Sequence, residues 1–320
     1  MPELRSKNHA KFLVTCLAMP ATAAATDAII RVAVTDEAWR LLRAAPATVA
    51  YRAALIAALR FPGNILSETP DARWARMVWT CYAAAGGDER QAVRVAAAVE
   101  LFMVALDVLD DAEDGEETSL QVELGAACAL NVSTGLLFLA QRALLDAGGG
   151  AAPAALLLDA GLRACGGQHA DLTGASERIR LGDALAVTAG KSASLVAAIC
   201  QLGAARAGAD SAMQNLFARF GWYLGMVAQL VNDLKGLQPD AVGKTDIALG
   251  RPTLPLVHAA QLAPIATTEA DVRAAVWADG PAQLTWAVAE TYREHALALI
   301  SRLTDDHAAG AALAALLPCL

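Results

Sequence analysis

Seven acidic side chains crowd into residues 107–117 of a 320-residue chain in which only 18% of residues are charged: Asp107, Asp110, Asp111, Glu113, Asp114, Glu116 and Glu117. They follow the apolar run "VELFMVAL", so the first of them extend its helix. Asp110 and Asp114 are four residues apart and stack on one helical face, Asp111 lies beside them, and Asp107 stands one turn before Asp111. Like charges at this spacing destabilise a bare helix, and carboxylates near a helix C-terminus meet the negative end of its dipole. Something positive should offset them. Oxygen ligands without His or Cys suit a hard cation such as Mg²⁺, which keeps several waters and is normally completed by substrate phosphate oxygens. The alternative is a solvated helix end running into an acidic loop. Because the preceding "AAAVELFMVAL" has the composition of a buried central helix, Asp110, Asp111 and Asp114 are expected to look into an interior cleft.

A phosphate-bridged cation asks for a second oxygen-rich edge and for basic side chains. The stretch "FGWYLGMVAQLVNDLKG" offers the edge: Gln229, Asn232 and Asp233 share a helical face by their i, i+3 and i+4 spacing. Gly221 and Gly225 on the same helix remove side-chain bulk where another helix or a ligand comes close. Lys235, Lys244, Asp246 and Arg251 follow. Singly, each of these reads as a surface or turn residue. Two polar clusters inside otherwise apolar helices favour the functional reading.

The rest of the chain must position these groups. With 56% hydrophobic residues and no long polar linker, it can bury one large core, and residues 1–320 are read as a single domain. Apolar side chains recur at three- and four-residue spacings in "TVAYRAALIAALR", "ARWARMVWTCYAAAG", "GAACALNVSTGLLFLAQRALLDAG" and "IRLGDALAVTAGKSASLVAAICQLGA", and no hairpin dipeptide separates alternating runs. The expected fold is therefore an all-α bundle. Helix breaks are expected at Pro62-Gly63, Gly86-Gly87, residues 148–150, Gly166-Gly167, Pro239 and residues 252–255. Charged or Gly residues interrupt nearly every apolar run before it reaches membrane-spanning length, so no integral membrane segment is expected; "AKFLVTCLAMPATAAATDAII" comes nearest and reads as a buried first helix. A net charge of -8 without a block of Lys and Arg argues against nucleic acid. Six scattered cysteines, Cys16, Cys81, Cys128, Cys165, Cys200 and Cys319, form no CxxC pair and read as core residues of a reducing, cytoplasmic compartment. The histidines match no zinc spacing.

On these residues the sequence resembles the class I isoprenoid synthases of the trans polyprenyl diphosphate synthase type. "DDAED" carries the family's first aspartate signature in full, preceded by Glu100. "GGQHADL", with Gln168 and Asp171, resembles its glycine-glutamine segment, and "TAGKSASLVAAICQLGA" its helix with a diphosphate-binding lysine, here Lys191. "LGMVAQLVNDLKG" is similar to the second signature, with Ala228, Asn232 and Gly236 replacing the usual Phe and two Asp. "GKTDIALGRPTLP" resembles the closing loop through Lys244, Asp246 and Arg251. The resemblance implies a helical bundle around a central active-site cavity, a homodimer, three Mg²⁺ ions and an allylic prenyl diphosphate substrate. It further implies that Asp110, Asp111, Asp114, Gln229, Asn232 and Asp233 hold metal, that Lys191, Lys244 and Arg251 bind diphosphate, and that Phe102, Leu106, Asp107, Gln168 and Trp222 line the substrate pocket.

Two departures bear on the reaction. Chain-elongating members bind isopentenyl diphosphate through a basic segment near the N-terminus and an arginine pair after the first signature. Here "FPGNILSETP" has no Lys or Arg, and Gly115, Glu116 and Glu117 stand in place of the pair. Carboxylates in place of guanidinium forks would repel a second diphosphate. The expected activity is therefore that of a terpene synthase cyclising a C15 or C20 substrate. Transfer of the prenyl group to an aromatic acceptor such as indole is the alternative, and chain elongation and a non-catalytic subunit rank below it. Arg60, Arg73 and Arg76 sit on helices the sequence does not place. Asp107 is open between tuning the metal ligands, holding water or an acceptor N–H, and pairing with a basic residue of a neighbouring helix.

Overall fold

The computed structural model describes residues 21–88, 91–115, 118–174, 179–238, 246–262, 268–278 and 280–318. His9, Cys16, Glu116, Glu117, Pro239, Lys244 and Cys319 lie outside the described residues. Among the described residues every regular element is helical, so the expected all-α class holds. The chain divides into two compact units, one built from residues 21–155 and 202–209, the other from 156–201 and 210–318.

The first unit contains α1 (Ala21–Ala44), α2 (Val49–Leu59), α3 (Arg73–Ala84), α4 (Val93–Glu113), α5 (Ser119–Leu124) and α6 (Ala126–Asp146). Helix α4 is its centre. Every residue from Val95 to Ala105 is buried, because α6, α3 and α1 pack around it. A helix apolar on all faces has to be enclosed in this way, and each of its Val, Leu, Phe and Met side chains contributes about 1.5–3 kcal/mol by leaving water. The expected buried central helix is thus present. Helix ends are set locally: Thr48 caps α2 by accepting from the Tyr51 N–H, and Thr118 with Gln121 closes a capping box on α5.

The second unit contains α7 (Ala152–Thr173), α8 (Leu181–Thr188), a π-helical turn (Ala189–Ala193), the larger part of α9 (Ser194–Arg206), α10 (Ser211–Gly236), α11 (Asp246–Leu249), α12 (Leu254–Leu262), α13 (Glu269–Ala278), α14 (Pro281–Leu303) and α15 (His307–Ala314). Helix α10, started by the Asp210 side chain accepting from the Met213 N–H, packs against α14 and the π-turn. Leu230 meets Leu254, Val257 and Ala289, while Leu234 and Leu237 meet Leu256, Val276 and Ala282.

Three expectations are corrected. Gly166-Gly167 does not break the chain: α7 runs through both. A Cβ on Gly167 would stand 2.2 Å from the Lys191 nitrogen, so this glycine serves a close helix crossing and not a turn. The run through Lys191 is not one uniform α-helix but carries the π-turn. Cys128 and Cys165 are exposed on α6 and α7, whereas Cys81 and Cys200 are buried as expected; all four are free. Two stretches, Ala126–Asp146 and Leu181–Arg206, are long and apolar enough to cross a bilayer by length and composition alone. In α6 this reflects apolarity on two sides: Val132, Leu136 and Leu144 are buried, and Leu130, Phe138 and Leu145 are exposed.

The two adjacent glycines of α7 give a sharp test. Gly166 has nothing within 4 Å of an added Cβ. Gly166→Ala should stabilise the protein by up to about 1 kcal/mol through helix propensity. Gly167→Ala should destabilise it by about 1–3 kcal/mol through overpacking, both read from denaturant unfolding.

Candidate active site

In the first unit the functional groups are organised by Glu100, 4% exposed on α4. Helix α3 begins after Ala72, whose left-handed backbone (φ 47°) offers no side-chain cap. The Glu100 carboxylate supplies the cap from outside, accepting from the Ala75 N–H at 2.7 Å and from the Trp74 N–H. Burial nevertheless pushes its pKa up to about 7, against the pull of these N–H groups and of Arg73. Arg73, the first residue of α3, is bound to Asp71 at 3.1 Å. It also acts on Asp107, a half-buried group two helical turns beyond Glu100: burial pushes the Asp107 carboxyl up to about 7, Arg73 opposes the rise, and Asp110 and Glu100 add to it. The open question about Asp107 thus gains a basic neighbour on an adjacent helix. Asp110 and Asp111 occupy the half-buried last turn of α4, and Asp114 is its C-cap. Phe102 is buried in the core and Leu106 half-buried.

In the second unit the π-turn delivers Lys191, whose Nζ donates to Asp171 Oδ2 at 3.1 Å. Arg251, only 5% exposed, approaches the same oxygen at 3.9 Å. The Ser192 hydroxyl donates to Gln229 Oε1, and Gln229 Nε2 donates to Asp233 Oδ1 at 2.7 Å. Asp233 is buried; burial, with Asp246 and Asp171, pushes its carboxyl well above the usual range, while Gln229 and Lys191 draw it down. Asn232 is half-buried. Gln168, on α7 one turn before Asp171, has both amide atoms buried with no partner among the described residues. Leaving such a group unpaired costs roughly 1–3 kcal/mol, which marks it as ligand- or water-facing. The role expected of Gly221 and Gly225 is met: added Cβ atoms would stand 2.5 Å from the Val196 carbonyl oxygen and 2.6 Å from Ala193 Cα.

Within this unit Lys191, Arg251 and Asp233, all singled out by sequence, are brought together around Asp171, and Gln229 joins them through Asp233; Lys244 lies outside the described residues. Ser192 was missed, although its place beside Lys191 was a usable signal, and so was the reach of Arg73. Among the described residues no group of three or more His, Cys, Asp or Glu forms a ready metal cage. The donors present still fit Mg²⁺, which needs only one or two carboxylates besides phosphate and water, and the carboxylate crowding on Asp233 is what a cation would relieve.

A model of the family described as "Polyprenyl synthetase" matches residues 70–276. The chain belongs to this family of trans-isoprenoid diphosphate synthases, with the class I isoprenoid synthase fold. Geranylgeranyl diphosphate synthase of Mycobacterium tuberculosis is 34% identical over 219 residues, 61% of this chain and 60% of that protein, so less than two thirds of the relative is spanned. Tryptophan prenyltransferase ComQ of Bacillus spizizenii is 28% identical over 193 residues, 60% of this chain and 67% of that protein. Among solved structures, geranylgeranyl pyrophosphate synthase of Lactobacillus brevis superposes with a TM-score of 0.78 at 20% identity, covering 92% of this chain and 97% of that one.

These findings correct the expected cyclisation, since the relatives named are a diphosphate synthase and a prenyltransferase. Arg73, one of the three arginines that the sequence left unplaced, lies on α3 and acts on Glu100 and Asp107 of the aspartate helix.

Glu100 makes stability depend on pH. Its carboxyl rises from 4.5 to about 7 on folding, so its favourable contribution is complete below about 4.5 and is lost as pH climbs through 7. Glu100→Gln keeps the acceptor oxygen and cannot ionise. The stability of this variant relative to wild type should therefore increase with pH by on the order of 3 kcal/mol between pH 4.5 and 8, measured by denaturant unfolding at each pH.

Proposed function

We propose that the chain is a prenyl diphosphate synthase that condenses a C15 or C20 allylic diphosphate with isopentenyl diphosphate. The observation that carries this reading is the match to the polyprenyl synthetase family across residues 70–276, a span that contains both acidic clusters, Lys191 and Arg251. Likeness to the mycobacterial geranylgeranyl diphosphate synthase supports a diphosphate-forming reaction. Asp110, Asp111 and Asp114 on α4 and Gln229, Asn232 and Asp233 on α10 would hold Mg²⁺, three ions by likeness to the family. When bound, Mg²⁺ neutralises charge on the departing diphosphate.

The chain's own groups do the rest. Lys191, Lys244 and Arg251 bind the allylic diphosphate and steady the negative charge that grows on it as the C–O bond breaks. Asp171 holds Lys191 in place, and Ser192 fixes the Gln229 amide so that its N–H group faces Asp233. Arg73, one of the three arginines that the sequence left unplaced, receives the diphosphate of the acceptor. By likeness to the family, Phe102, Leu106 and Asp107 of the first unit and Gln168 and Trp222 of the second are prenyl-chain residues, whose apolar members keep water from the carbocation. The exposed Leu130, Phe138 and Leu145 of α6 are one apolar helix face and support a homodimer, and the free cysteines suit the cytoplasm.

Purified protein with Mg²⁺ should be incubated with geranyl, farnesyl and geranylgeranyl diphosphates separately, each with and without isopentenyl diphosphate and indole. A longer diphosphate should form only when isopentenyl diphosphate is present. Asp110→Ala or Asp111→Ala should lower kcat about 100-fold or more. A hydrocarbon or alcohol from one substrate, or a product that requires indole, would overturn the proposal. Arg73→Ala should raise KM for isopentenyl diphosphate about tenfold or more, the loss of one charge-assisted hydrogen bond, with little change in KM for the allylic partner.

A further inference from the structure

In the first unit, arginines and aspartates alternate in sign from α1 to the start of α3. Asp27 of α1, 8% exposed, accepts from Arg76 Nε at 2.6 Å and meets Arg31 at 3.5 Å. Arg76, in the first turn of α3, presents its Nη2 to Asp71, donating to the backbone oxygen at 3.0 Å and standing 3.6 Å from the carboxylate Oδ1. The other carboxylate oxygen, Oδ2, lies 3.1 Å from Arg73 Nε. That contact is an ion pair only: Asp71 Oδ2 is buried and accepts no hydrogen bond among the described residues. The Asp71 main chain is held where it is, since its N–H donates to the Gly63 carbonyl at 3.0 Å. One carboxylate thus serves two guanidinium groups, and a second carboxylate, Asp27, holds Arg76 from its far side.

We propose that Arg76 is a positioning residue for the acceptor site: it draws the Asp71 carboxylate away from Arg73, which is left only partly neutralised for the incoming diphosphate, and Asp27 keeps Arg76 in that attitude. This rests on the reading of Arg73 as the group that receives the acceptor diphosphate. A carboxylate and a diphosphate compete for the same guanidinium fork, and a carboxylate aligned on Arg73 would also repel the anion as it arrives. Without Arg76, Asp71 turns to Arg73. Without Asp71 there is no competitor, and Arg76 has nothing to hold back. Arg76 therefore acts through Asp71 and not by touching substrate.

Isopentenyl diphosphate is titrated calorimetrically into wild type, Arg76→Met, Asp71→Asn and Asp71→Asn/Arg76→Met, with KM for the allylic diphosphate measured alongside. Arg76→Met should weaken isopentenyl diphosphate binding about fivefold, the scale of one partly shielded ion pair, and leave the allylic KM within about twofold. Asp71→Asn should bind at least as tightly as wild type, and adding Arg76→Met to it should change the affinity by less than about twofold. An undiminished loss in the Asp71→Asn background means that Arg76 meets the diphosphate itself and overturns the proposal, as does weaker binding by Asp71→Asn. Where Arg76→Met fails to fold because the buried Asp27 has lost its partner, Asp27→Asn/Arg76→Met removes both charges and supplies the same comparison.

Denaturant unfolding without substrate separates the sharing of Asp71 from the reaction. Arg73→Ala and Arg76→Met release the same carboxylate, so their joint effect on the unfolding constant should depart from the product of the single effects by about threefold or more, and this departure should vanish in the Asp71→Asn background. Independent effects overturn the proposal. Coupled effects in a wild type that binds no isopentenyl diphosphate leave the shared carboxylate in place and overturn only the elongation reading.

Discussion

A carboxylate withdrawn from water on a helix with no solvent face has to be met by donors, and in this chain that requirement falls first on Glu100. Its oxygens take the place of the N-cap that α3 lacks, so the start of α3 is fixed by a residue of α4. Arg73 is the residue that this arrangement aims. One guanidinium then moderates two acids, the buried Glu100 and the half-buried Asp107, whose pKa values desolvation has lifted to about 7. The left-handed Ala72, a conformation unfavourable for a residue with a Cβ, persists because the cap beyond it is anchored on the neighbouring helix.

The second unit solves the same problem with cations. Asp171 is buried and meets Lys191 and Arg251, while Asp233 is buried and meets an amide. The π-turn belongs to this solution, since it sits where the chain must bring Lys191 against α7. π-bulges tend to occur at functional positions because the extra residue redirects one side chain without ending the helix. Gly167 and Gly190 let the two backbones approach closely enough for the ion pair to form.

Much of this was legible beforehand. Apolar spacing predicted helices throughout, and the acidic crowding at 107–114, at the end of so apolar a run, favoured a cleft over a solvated helix end. The face shared by Gln229 and Asp233 followed from spacing alone. What was not legible depends on tertiary approach. Gly166-Gly167 reads as a break because sequence cannot tell a glycine needed for a turn from one needed for contact. Arg73 was present but had no address, since its reach depends on how α3 is capped from another helix; the cyclisation reading is overturned by the relatives. The π-turn left only a mid-helix Gly190 as its trace.

The enclosure of α4 also constrains how the family member can drift. Eleven successive positions, Val95 to Ala105, have neighbours on every side, so there is no face on which a neutral change of volume can be absorbed. Any enlargement there must be matched by a reduction on α1, α3 or α6, and substitutions should accumulate as compensating pairs across those contacts. The aspartates that follow are carried on a stem whose shape is inherited almost as a block.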